Sequence, residues 1–168
     1  MDLVFVALRL THIVAGMFWV GAAVLNTVFL MPAARALGPE GGRFMQFVLG
    51  KLRLSSYIAL SAILTTLAGI VLYWRASGGL QPTWIFTTGG LIFTIGAVTG
   101  IAAAILGGVE TAPAATRMEA LAQEMESAGG PPRPEQLVQL QNLQAHLGRS
   151  AMRGMVLLVI TIIAMAIA

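Results

Sequence analysis

Long apolar runs alternate with short polar connections along the chain. The first run covers residues 3–31, where the strongly polar exceptions are Arg9, His12 and Asn26. Further runs cover residues 54–74, 84–108 and 152–168. Each is long enough to cross a hydrocarbon core of about 30 Å as a helix, the fourth only just. Pro32 lacks an amide hydrogen and its ring clashes with the preceding turn, so the first helix is predicted to end there. No A-x-A cleavage site follows a short apolar core, so this run reads as a retained helix and not a signal peptide. The stretch between the third and fourth runs has a different pattern. Ala115, Met118, Leu121, Ala122 and Met125 recur at helical spacing, and Leu137, Leu140, Leu143 and Leu147 form a second stripe. Gly129-Gly130-Pro131-Pro132 separates the two and must break any helix. The prediction is an all-α fold: one integral membrane domain over residues 1–168, a four-transmembrane-helix bundle with a helical hairpin over residues 112–147.

Composition supports the same solvent. Hydrophobic residues make up 57% of the chain and charged residues 10%, against about 25% charged in soluble domains. Mean hydropathy is +0.83. Cysteine is absent, which excludes disulfides, thiolate metal sites and cysteine nucleophiles. The net charge of +3 would suggest nucleic acid in a soluble protein, but no basic block of five or more residues exists. The basic residues instead report orientation. Arg35, Arg43, Lys51, Arg53, Arg117, Arg133, Arg149 and Arg153 fall on one side of the four runs, Arg9 and Arg75 on the other. The positive-inside rule then puts the long connections in the cytoplasm and both termini across a bacterial inner membrane. Trp74 and Trp84, with Tyr73 nearby, suit an aromatic belt around the turn at residues 76–79.

An ionisable residue within a span is a functional-site hypothesis, because its burial is expensive. Arg9, His12, Gly16, Trp19, Ala23 and Asn26 share one arc of the first helix, which should face the bundle. His12 could ligate a metal or a tetrapyrrole iron, with Gly16 leaving room for the macrocycle and Trp19 and Asn26 near it. The alternatives are a hydrogen bond to a neighbouring helix, at Ser61, Thr65 or Thr94, or a protonation role. His146 belongs near the opposite membrane surface, so one haem cannot bridge both histidines. With Arg149 and Arg153 it would meet lipid phosphates or acidic partner groups. Gly89, Gly96, Gly100 and Gly107 line one face of the third run, a small-residue surface for a helix of this bundle, another subunit or a flat cofactor. Nine methionines admit Cu(I) handling, but Met152 and Met155 are the only close pair within a span. No span holds Asp, Glu or Lys, and Walker, Rossmann and H-E-x-x-H motifs are absent, so the chain is not expected to be an enzyme.

Leu10-Thr11-His12 followed by Trp19-x-Gly21 resembles the first helix of the copper-resistance D family of bacterial membrane proteins. The wider group of His-containing four-helix proteins shares this stretch, including the J-type protoporphyrinogen oxidase. Gly129-Gly130-Pro131-Pro132-x-Pro134-Glu135-Gln136 through Leu140 resembles uncharacterised bacterial members related to that family. The resemblance implies a four-helix fold and one candidate ligand, His12. The J-type oxidase pairs its histidine with a lysine in a later span; the later spans here have none, so that activity does not carry over. The leading expectation is a non-catalytic accessory or stabilising subunit of a larger membrane complex, or a homo-oligomer. A tetrapyrrole-binding protein using His12 and a copper-handling protein are the alternatives.

Overall fold

The computed structural model describes residues 2–168, and every regular element among them is helical. Helix α1 spans Leu3–Ala36, and α2 spans Pro39–Gln46 before widening into a π turn at Phe47–Lys51. Helix α3 is Leu54–Ala76, α4 is the single turn Pro82–Ile85, α5 is Thr88–Ser127 and α6 is Pro134–Ile167. Helices α1, α3, α5 and α6 are each long and apolar enough to cross a membrane, which makes the chain a multi-pass membrane protein. Two antiparallel pairs build the bundle, α1 with α3 and α5 with α6. All four meet at Trp19, Ala103 and Leu158, with Ile58 and Ala62 packed against them. Outside that small core the span surfaces are apolar and exposed, as at Met17, Phe18, Leu67 and Val98, which suits contact with lipid chains.

Pro32 behaves differently from expectation. The first helix does not stop at Pro32 but runs on to Ala36. A π turn at Leu25–Leu30 comes just before it, with the Met31 amide bonded five residues back to the Asn26 carbonyl. The same device recurs in α5, where a π turn at Gly107–Thr111 precedes Pro113 and the Ala112 amide reaches the Gly107 carbonyl. A π turn changes the bonding register, so each proline enters as the first turn of a new α segment, where its missing N–H and its ring are tolerated. The chain therefore passes both prolines without losing helical continuity. The third span also starts later than expected, at Thr88 and not near Trp84. Pro82 opens the separate turn α4, and the Thr87 hydroxyl accepts the Gly90 amide as an N-cap.

The connection between the third and fourth spans is a helical hairpin, formed by α5 and α6 continuing past the bundle as a paired arm. Ala114, Leu121 and Leu147 are buried between its two helices. Leu137 departs from the expected stripe and is exposed. Gln136 takes the inward position beside it, donating to Glu124 Oε1 at 3.0 Å while its own Oε1 accepts the Arg133 amide. Arg133 also donates to Glu124, at 2.9 Å, which closes the arm's tip. At the base, Thr111 and the fully buried Ser150 share a hydrogen bond of 2.8 Å, and Arg153 pairs with Glu110 at 2.6 Å.

Two ion pairs bracket the apolar belt. At the end carrying the termini, Asp2 caps α1 and pairs with Arg75 at 2.8 Å. The Arg75 guanidinium, helped by the Phe5 amide, holds the Asp2 carboxyl below its usual range. At the arm end stands Glu110–Arg153. Asn26 lies two turns beyond Trp19 toward the arm, as Glu110 lies two turns beyond Ala103. From Asp2 to Asn26 the helical rise gives about 36 Å, slightly more than a hydrocarbon core of about 30 Å. The pairs thus stand where the headgroups would begin.

Trp19→Ala should remove the one large side chain common to all four helices. The expected cost is about 3–5 kcal/mol, read from reversible unfolding of the detergent-solubilised chain. The exposed Met17→Ala should cost far less, and equal losses would disprove the assignment of the core.

Candidate functional site

The polar and small residues of α1 converge on α3. His12 Nδ1 lies 2.8 Å from the Thr65 carbonyl oxygen. A carbonyl only accepts, so Nδ1 carries a proton and donates, which in the neutral ring leaves the lone pair on Nε2. Thr65 can serve a second donor because a helical carbonyl keeps a free lone pair, and Gly69, one turn on, has no side chain to cover it. The fit is tight. A Cβ at Gly69 would stand 2.8 Å from His12 Cε1, so the imidazole rests where any other residue would put its side chain. Gly16 meets the same helix: a Cβ there would lie 3.4 Å from Thr65 Cγ2. The space released by Gly16 is therefore used for helix approach.

The rest of the arc divides. Trp19 is 8% exposed and forms the core, with Ala23 packed against it. Asn26 lies in the π turn, and its Oδ1 is buried without a partner, as is Thr65 Oγ1. Arg9 does not face the bundle. It is exposed, its guanidinium 5.6 Å from the Phe5 ring centre, because a long cationic side chain can reach back toward the headgroups along apolar surface. Ser61 and Thr94, the other considered partners of His12, are occupied elsewhere: Ser61 donates to the Ile58 carbonyl, and Thr94 bonds the Tyr73 hydroxyl at 2.6 Å. Tyr73 also packs with Trp84 and Phe93, while Trp74 stays exposed.

The glycine face of α5 is turned to α6. A Cβ at Gly89 would lie 3.3 Å from the Ala168 carbonyl, one at Gly96 3.2 Å from Ala164 Cβ, and one at Gly100 3.3 Å from Thr161 Cγ2. Thr99 and Thr161 bridge the two helices at 2.9 Å. Gly107 has nothing near it. Arg153 is committed to Glu110, whereas Arg149 is exposed and His146 half-buried. Among the described residues, no three histidine, aspartate or glutamate side chains stand together as a metal site.

Sequence reasoning did not single out Gly69 as the seat of His12 or Glu110 as the partner of Arg153. Gly69 shares a face of small and polar residues of α3 with Ser61, Thr65 and Tyr73. Searches against protein-family models, curated proteins and solved structures find no match for this chain.

The His12–Gly69 contact makes a coupled prediction. Gly69→Ala should cost about 1–3 kcal/mol by pushing the imidazole off Thr65. In a His12→Ala background the same change should cost much less. Additive losses in this double-mutant cycle, followed by unfolding in detergent, would exclude the packing described.

Proposed function

We propose that the chain is a non-catalytic accessory or stabilising subunit of a larger complex in a bacterial inner membrane, with the arm in the cytoplasm and both termini on the other side. The observation that carries this reading is the arm. Helices α5 and α6 leave the bundle without a break and stay paired to the Glu124–Arg133–Gln136 tip. Arg35 ties the extension of α1 to the arm's base: a Cβ at Gly148 would stand 2.6 Å from its Nη2, and the guanidinium points at the Gln144 carbonyl. A rigid projection continuous with membrane helices is suited to holding a partner at a fixed height above the bilayer. Leu137 and Val138, exposed on the arm, offer apolar contact area there. The excess of basic residues at the arm end supports the cytoplasmic orientation. In this reading the likeness to the copper-resistance D family is one of helical plan.

Purification in mild detergent followed by native mass spectrometry should show a stoichiometric membrane partner. Val138→Glu, on the arm's exposed face, should dissociate it without changing helical content. A stable bare monomer from native membranes would overturn the proposal.

A second reading, a tetrapyrrole-binding protein, is favoured by one observation: the Nδ1 bond to Thr65 fixes His12 in the tautomer whose Nε2 is free to ligate. The group would be held through Nε2 and not in a recess at Gly16, whose open face meets Thr65. Haem added to the purified chain should give a Soret band that His12→Ala abolishes. No band in the intact chain, even with haem in excess, removes this reading.

A further inference from the structure

The connection between the first two spans carries a feature that the subunit reading does not use. Helix α2 is held against the end of α1, since a Cβ at Gly41 would stand 2.1 Å from the Ala34 carbonyl oxygen. Its inward face is Gly41, Met45 and Val48, which are buried or half-buried. Its outward face carries Arg43, Phe44, Phe47 and Lys51, all exposed, Phe44 at 48% and Phe47 at 51%. Leu37 before the helix and Leu52 after it are exposed as well. Water alone would not favour two phenylalanines and two leucines on so short a connection.

Position and charge say what covers this face. Lys51 and Arg53 immediately precede Leu54, the first residue of α3, so their backbone stands at the edge of the apolar belt. Phe47 precedes Leu54 by about 10 Å along the chain, inside the thickness of a headgroup layer and its boundary. The three ion pairs of the described residues use Arg75, Arg133 and Arg153, so Arg43, Lys51 and Arg53 make no salt bridge, the carboxylates on or beside the segment being Glu40 and Glu119, whose Oε1 would stand 3.3 Å from a Cβ at Gly50. Aromatic and leucine side chains interleaved with unpaired cations, continuous with a lipid-covered belt, match a membrane surface bearing anionic headgroups. A soluble acidic protein would answer the cations but not the continuity of the phenylalanines with the belt. We infer that Leu37–Arg53 is a lipid-facing anchor, its phenylalanines set into the headgroup boundary and Arg43, Lys51 and Arg53 bound to anionic phospholipid headgroups.

The absence of cysteine makes the test direct. Phe47→Cys, labelled with an environment-sensitive fluorophore in the full chain, would be reconstituted into vesicles of phosphatidylcholine alone or mixed with phosphatidylglycerol. The expected result is blue-shifted emission and shielding from aqueous iodide, stronger with phosphatidylglycerol. Replacing Arg43, Lys51 and Arg53 by glutamine should abolish that lipid preference, at about fivefold in lipid affinity per cation, the equivalent of about 1 kcal/mol each. Val138→Cys on the arm, labelled likewise, should stay open to iodide in both membranes, and unchanged circular dichroism would show that the variants fold. Equal iodide access at position 47 in both membranes would overturn the inference.

Discussion

Hydrocarbon offers no hydrogen-bond partner, and the fold is arranged around that deficit. Between the Asp2–Arg75 and Glu110–Arg153 pairs, polar groups are mostly answered within the chain. His12 donates a hydrogen bond from Nδ1 to a carbonyl, Tyr73 bonds Thr94, Thr99 bonds Thr161, and Ser61 bonds its own helix. The hydrophobic effect cannot hold helices together where lipid tails are as apolar as leucine. Close approach at Gly16, Gly69, Gly96 and Gly100 supplies the packing instead, and these few interhelical bonds fix its register. The two buried oxygens left without partners, on Asn26 and Thr65, lie on the two helices that His12 joins.

The same deficit explains how the prolines are handled. A broken helix at Pro32 or Pro113 would strand carbonyls near the membrane edge. A π turn before each keeps the backbone bonded while the bonding register shifts. Both shifts come where the chain leaves the bundle, so they set the direction in which the α1 extension and the arm depart. The arm then stiffens through its own contacts, at Thr111–Ser150 near the base and around Glu124 at the tip. These contacts hold the two arm helices together at both places.

The function proposed follows from this division of the chain into a lipid-matched bundle and a polar arm. Interactions that in a soluble protein would form a site are here spent on joining helices. His12 illustrates the point, since its bond to Thr65 is structural and at the same time selects the ring nitrogen that a ligand would use. The amphipathic connection adds a third region, where exposed phenylalanines lie beside cations that make no salt bridge.

The four spans, the arm and the break at Gly129–Pro134 were legible in the sequence, because hydropathy and helical period are local properties and a bilayer reads them locally. The inward arc from His12 to Asn26 was legible for the same reason, and so was Thr65 as one of three possible partners. What the sequence could not decide was pairing across helices. Whether the glycines of the third span face a sister helix or another protein, and why Arg153 meets Glu110, depend on relative rotation, which periodicity leaves free. The passage through Pro32 and Pro113 was illegible as well, because a π turn has no strong local signature and is stabilised by what packs around it. Local chemistry chose the elements. Only the tertiary structure chose which faces meet, since that choice rests on contacts a few ångströms wide between residues far apart in the chain.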